Sequence, residues 1–270
     1  MSEIHEGLKK YQFSYKFQEK DERDHTTQHS DGNLILKTKK ATFIKATPSK
    51  LPATFTIPTL APIMDQGDLG DCVSNSASYL INSQTMNRIS ISRIMHYDLC
   101  RIMEDTPLSQ DDGTTIRTAA SVLLKYGCCL ESVCPYNTST FSVLPPLNTI
   151  KQMNLFKQFS YFFVNQDLNS LKNTLLNMKT PITFGIIVYD SFLSIQVAKT
   201  GIVPMPDTKK EQEQGGHCVT MVGYDDSKQA FYCANSWGTS WGKKGYFHLP
   251  YNYVTDPKLA SDFCYYKFTY

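Results

Sequence analysis

Gln-Gly-Asp-Leu-Gly-Asp-Cys-Val-Ser-Asn-Ser-Ala, residues Gln66 to Ala77, runs from a glycine-punctuated loop into a stretch with helical apolar spacing, and a cysteine stands at the join. That placement has a chemical use. The thiolate is the reactive form of cysteine, and the unpaired N–H groups and partial positive charge of a helix start stabilise it. Cys72 is therefore a candidate nucleophile. Free cysteines are more often buried and inert, and this chain has 8, so the reading needs support from elsewhere.

That support lies downstream, in Gly215-Gly216-His217-Cys218-Val219, then Asn235-Ser236-Trp237-Gly238, then Trp241-Gly242-Lys243-Lys244-Gly245-Tyr246. With these residues the chain resembles the papain-like (C1) cysteine peptidases, and within them a bacterial-type and viral branch with Asp-Gln-Gly-x-Leu-Gly-x-Cys at the nucleophile. The resemblance covers about Ala61 to the C-terminus and is most specific from His217 to Leu249. It implies an α+β fold of two lobes: a helical lobe carrying the nucleophile helix, a strand-rich lobe carrying the histidine and asparagine, and a cleft between them.

The resemblance also implies roles. Amide hydrolysis requires a nucleophile, a proton carrier, an orienting group and donors for a developing oxyanion. By family analogy these are Cys72, His217, Asn235, and the Gln66 amide with the Cys72 backbone N–H. Trp237 would shield the histidine–asparagine bond from water, and Gly113 and Gly216 would let a substrate backbone come close. No metal or cofactor is called for. The expected partner is a polypeptide substrate, with no nucleic acid or membrane. Two other readings use the same residues: a catalytically weak or silent peptide-binding relative, and a thiol-dependent amidase or acyl transferase acting on a non-peptide substrate.

The chain departs from the family pattern at three positions. Asp71 replaces a small residue before the nucleophile, Val73 replaces an aromatic after it, and Leu69 stands where secreted members often have a half-cystine. A carboxylate at Asp71 would disfavour a thiolate and favour a protonated His217, so its net effect stays open.

Composition bounds the rest. The chain has 270 residues, 41% of them hydrophobic, and a net charge of +2, enough to bury a sizeable core and too balanced to steer it toward nucleic acid or an anionic membrane. The first ten residues lack the apolar core of a secretory signal, and no apolar run approaches the ~18 residues that span a bilayer. The expectation is an intracellular protein, cytoplasmic or packaged in a particle, with adjacent Cys128 and Cys129 reduced.

Residues 1–50 differ from the remainder, holding 10 of the 27 basic and 7 of the 25 acidic residues. They read as an N-terminal segment, either a short propeptide or cleft-covering arm, or a solvated tail or extra strand. Their apolar triplet Leu34-Ile35-Leu36 needs a place of burial, and the substrate groove and a sheet edge are the two candidates. Residues 51–270 read as the peptidase domain, mainly helical over 51–150 and mainly strand over 151–270. Helices are expected from Val73 to about Met86 with Asp71 as cap, from Ser92 to Met103, from Thr114 or Thr115 to Gly127, and from Leu168 to Met178. Strands are expected at Phe159 to Val164, Ile182 to Tyr189, Cys218 to Tyr224, Ala230 to Ala234, Tyr246 to Leu249 and Phe263 to Phe268.

Overall fold

The computed structural model describes residues 6–8, 10–21, 24, 26–30, 33–37, 51–153 and 159–268. Helix α1, Cys72–Gln84, lies at the centre, buried along every face except at Gln84. Helix α2, Arg93–Met103, starts where the Ser92 side chain accepts from the Met95 N–H, and α3, Ile116–Tyr126, starts where Thr115 accepts from Thr118. Gly127 ends α3 at φ 73, a left-handed backbone that glycine adopts without strain. The loop after α3 leads into the short α4, Leu147–Ile150.

The remainder is built on one sheet. Its strands are β1 (Thr26–Ser30), β2 (Asn33–Lys37), β3 (Thr54–Thr56), β4 (Phe159–Val164), β5 (Ile182–Tyr189), β6 (Glu213–Asp225), β7 (Ala230–Ala234), β8 (Tyr246–Pro250) and β9 (Ala260–Phe268), in the order β2-β1-β4-β9-β5-β6-β7-β8 with β3 paired to β6. Every pairing is antiparallel except β1 with β4. Helices α5 (Leu168–Met178), α6 (Ile195–Thr200) and α7 (Tyr251–Thr255) connect the strands.

Strand alternation divides the core in two. Phe184, Ile186, Val188, Val219 and Met221 point into one cluster with Phe231, Phe247 and Trp237. Cys218, Cys264 and Tyr266 point to the other face, against Cys72, Val73 and Ala77 of α1 and Ala119 and Leu123 of α3. The nucleophile helix is thus clamped between the sheet and the other helices, and the Ser76 hydroxyl donates to the Cys218 carbonyl at 3.3 Å across that seam.

Two readings of the sequence need adjustment, and a third is narrowed to one of its alternatives. Asp71 stands at the N-cap position but caps nothing with its side chain; its Oδ1 accepts from Asn75 Nδ2 at 2.8 Å and Tyr136 OH at 2.9 Å instead. Strand β6 starts five residues before Cys218, because its polar Glu213–Gly216 end still pairs with β5. The triplet Leu34-Ile35-Leu36 forms β2 at the sheet margin. A different part of the N-terminal segment lies against α1 and β6.

Candidate active site

Four separate stretches of chain converge on the start of α1. The loop before it supplies Gln66, the helix supplies Cys72, β6 supplies Gly216 and His217, and the turn after β7 supplies Asn235, Ser236 and Trp237. The loop is fixed to the turn by backbone and side chain together: Gln66 N–H donates to the Ser236 carbonyl at 2.8 Å, and Ser236 Oγ donates to Gln66 Oε1 at 2.6 Å. With Oε1 so engaged, the amide cannot flip. One Nε2 hydrogen goes to the Leu69 carbonyl at 2.9 Å, leaving the other free.

His217 and Asn235 are joined at 2.8 Å between Nε2 and Oδ1. The other ring nitrogen, Nδ1, is buried without a hydrogen-bond partner in the protein. Trp237 stacks on the imidazole, with ring centroids 4.9 Å apart and planes at 27°. It is 1% exposed, so the His217–Asn235 bond sits in a low-dielectric environment, where it is strengthened.

Cys72 and His217 are both wholly shielded from solvent. Burial pushes the Cys72 thiol far above its usual range, with the Cys218 thiol and Asp71 adding to the shift. Burial likewise lowers His217 to about 4, against a smaller opposing effect of the Asn235 bond. In this state both groups are neutral. The Asp71 carboxyl is likewise pushed well above its usual range by desolvation, which outweighs the Tyr136 hydrogen bond and the Arg93 charge.

Comparison with known proteins points to one family. The family model described as papain family cysteine protease matches residues 51–266. A peptidase C1-like protein of Acanthamoeba polyphaga mimivirus is 37% identical over 221 residues, which is 77% of this chain and 70% of that protein. The crystal structure of xylellain, a cysteine protease from Xylella fastidiosa, superposes with a TM-score of 0.80 at 29% identity, covering 97% of each chain. The chain belongs to the papain family of cysteine proteases. Digestive cysteine proteinase 1 of Homarus americanus is a more distant relative, 28% identical over 76% of this chain and 63% of its own length.

What shields this papain-family site is the chain's own N-terminal segment. Tyr11 stacks on Trp237 at 4.8 Å and 16°, and its hydroxyl donates to the Trp237 carbonyl at 3.1 Å. Phe13 meets the His217 ring edge-on, with centroids 6.1 Å apart. Ser14 bridges to Gly216 in parallel register, and its hydroxyl donates to the Gly70 carbonyl at 2.6 Å. Tyr15 N–H donates to the Gly216 carbonyl at 3.0 Å, and Lys16 N–H to the Thr114 carbonyl at 3.2 Å. Gly113 permits this path, since a Cβ there would lie 1.6 Å from the Ser14 carbonyl oxygen.

Of the seven residues singled out in the sequence, Gly113, Gly216, His217 and Trp237 meet this segment directly, Cys72 shares an apolar cluster with Tyr15, and Asn235 and Gln66 are bonded to His217 and Ser236. Three further contributors could not be picked out from sequence. Ser236 orients Gln66. Tyr136 OH reaches the Gln66 carbonyl at 2.8 Å as well as Asp71. Asp111 holds the Gly70 N–H at 2.8 Å and Tyr97 OH at 2.6 Å, while that same hydroxyl takes the Gly113 N–H at 2.9 Å. Ser236 had one signal, its place inside the Asn-Ser-Trp-Gly block; the other two had none.

Proposed function

We propose that this protease hydrolyses peptide bonds through an acyl thioester on Cys72, and that its residues 10–18 hold it inactive until they leave. The His217–Asn235 bond with Nδ1 left unpaired supports the first part: it fixes the imidazole and reserves one nitrogen for the thiol. His217 takes the Cys72 proton, the thiolate attacks the carbonyl carbon, and His217 then protonates the leaving amine. Water, deprotonated by His217, cleaves the thioester and releases the acid. The Gln66 Nε2 hydrogen not used by Leu69 and the Cys72 backbone N–H stabilise each tetrahedral oxyanion.

The second part rests on coverage. Residues 11–15 occupy the space in front of Cys72 and His217, and dehydrate both. A thiolate–imidazolium pair is costly there and becomes accessible once water returns. The segment therefore blocks substrate and holds the nucleophile in its unreactive form.

A fluorogenic peptide-amide assay under reducing conditions tests both parts. Tyr11→Ala with Tyr15→Ala in the full-length chain should raise turnover and speed iodoacetamide labelling of Cys72. Adding Cys72→Ala should abolish turnover. Full hydrolysis in the Cys72→Ala variant would exclude the thioester route, and unchanged labelling on loosening the segment would exclude it as the cover.

A further inference from the structure

Arg93, the first residue of α2, serves three acceptors on two sides at once. Its side chain is only 12% exposed. On one side Nε and Nη2 donate to Glu131 Oε1 at 3.2 and 2.8 Å, and the Arg93 backbone N–H donates to Glu131 Oε2 at 3.0 Å. On the other, Nη1 donates to Asn75 Oδ1 at 2.8 Å and to the Asp65 carbonyl at 3.2 Å. The flat face of the guanidinium lies on Tyr136, with Cζ 3.6 Å from the ring centre. Only a planar fork of donors can meet these partners and stack as well; a lysine ammonium has one nitrogen and no face. No step of the hydrolysis uses Arg93.

The contacts on the second side end at the two peptide units that aim the oxyanion donors. The first unit joins Asp65 to Gln66. Its carbonyl is held by Arg93 and its N–H by the Ser236 carbonyl at 2.8 Å, so both edges of a planar group are fixed and the Gln66 side chain leaves from a set backbone. The second unit joins Asp71 to Cys72 and carries the other donor, the Cys72 N–H. With Oδ1 taken by Arg93, the Asn75 amide must present Nδ2 to Asp71, and it donates to the Asp71 carbonyl at 3.2 Å and to Oδ1 at 2.8 Å. The Asn75 N–H reaches the same carbonyl at 3.0 Å. Holding that oxygen sets the direction of the Cys72 N–H, because the two belong to one plane. Tyr136, under the guanidinium, closes the circuit: its hydroxyl lies 2.8 Å from the Gln66 carbonyl and 2.9 Å from Asp71 Oδ1.

We propose that Arg93 is a positioning residue for the oxyanion hole, aligning the Gln66 and Cys72 donors from behind without touching substrate. The proposal rests on the peptidase reading above. Donors held in place beforehand need no reorganisation when charge develops on the carbonyl oxygen, and that is where such a hole gains its effect. Without the guanidinium the Asn75 amide is free to turn over, the Asp65 carbonyl loses a partner, and Tyr136 loses the surface it rests on. The imidazole keeps its own supports, since the His217–Asn235 bond and the Trp237 stack involve none of these groups. The loss therefore falls on steps that form an oxyanion and spares those that need only the thiol.

The test uses the full-length chain with Tyr11→Ala and Tyr15→Ala, which loosen the segment over the site. Arg93→Met keeps an unbranched side chain against Tyr136 and removes every side-chain donor. It should lower kcat on a peptide amide by roughly 10- to 100-fold with KM little changed. Alkylation of Cys72 by iodoacetamide, which displaces iodide and forms no oxyanion, should keep its rate. Hydrogen exchange of the amides from Gln66 to Cys72 should quicken while that of β5 and β6 holds. Arg93→Lys should not restore kcat. Where Arg93→Met folds poorly, adding Glu131→Gln removes the carboxylate left without its partner, and the same split between kcat and alkylation is expected. An unchanged kcat, a loss carried by KM or shared equally by alkylation, unchanged exchange in the loop, or full recovery in Arg93→Lys would each overturn the proposal. Faster loop exchange in a background that shows no turnover would instead overturn the peptidase reading and leave the positioning role standing.

Discussion

Cys72 has an acidic neighbour whose carboxyl burial pushes toward the neutral form. The sequence leaves the sign of the Asp71 effect open, since it does not reveal that the carboxyl is buried against Tyr136 and Asn75. Its neutral form is a hydrogen-bond acceptor that helps hold the oxyanion loop, because Tyr136 reaches Asp71 and Gln66 together. Ser236 works on the same loop from the other side. Removing the Gln66 amide should cost on the order of 100- to 1,000-fold in kcat with KM little changed. Ser236→Ala leaves the amide but frees its rotation, so kcat should fall by a smaller factor, roughly 3- to 30-fold, again with KM little changed. Steady-state kinetics on one peptide substrate checks both, and a rise in KM alone would assign the two residues to substrate binding. Cys72, His217, Asn235 and Gln66 could be singled out because each stands in a motif that is local in sequence, and the fold gathers those motifs at the start of α1. The Ser236 and Tyr136 contacts with Gln66 could not, since they join stretches that are distant in sequence.

Among the helices, α2 supports the rim of the cleft through a buried ion pair. Arg101 and Asp98 are fully buried, with 2.6 Å between Nη2 and Oδ1. Arg101 also donates to the Leu108 and Gln110 carbonyls at 2.6 and 3.1 Å and lies 4.3 Å from the Tyr97 ring centre. It thereby fixes the loop leading to Asp111 and Gly113. Burial pushes Asp98 up to about 7, against the opposing pull of Arg101. Arg101→Met should therefore destabilise the fold by about 3–5 kcal/mol, read as a lower urea midpoint; a midpoint within error of the parent would show the pair to be dispensable. The helix limits in the sequence held to within a residue or two where Ser92, Thr115 and Gly127 mark them. The β1–β2 hairpin was missed because Thr26–Ser30 is wholly polar, and β3 because it is only three residues long.

For the molecule as a whole, acid should favour the uncovered form. His217 has a folded-state pKa of about 4 against an ordinary 6.5. A lowered histidine binds fewer protons when covered, so the covered form loses stability as pH falls through 6.5 toward 4, at up to about 1.4 kcal/mol per unit. Asp262 of β9, raised by burial, acts in the opposite sense. His96, also lowered to about 4 by burial, destabilises the fold itself over the same range. Iodoacetamide labelling of Cys72 in the full-length chain should therefore accelerate between pH 6.5 and 4, relative to a free-thiol standard. A rate that falls in step with the standard would remove His217 as the trigger. The change in composition near residue 50 points to an N-terminal segment able to reach the cleft, but hydrophobicity draws attention to Leu34-Ile35-Leu36. The residues that lie there are aromatics at alternate positions, Tyr11, Phe13 and Tyr15, interrupted by the polar Gln12 and Ser14.

The chain has only two tryptophans, and both are at this site, with ring centroids 5.1 Å apart. One of them, Trp237, lies under Tyr11. When the segment departs, Trp237 gains water on that side while most of the fold is unchanged, so the emission maximum should shift to the red without a label. The molecule thus carries an intrinsic optical gauge of its own activation, in which light rather than turnover reports whether the site is open.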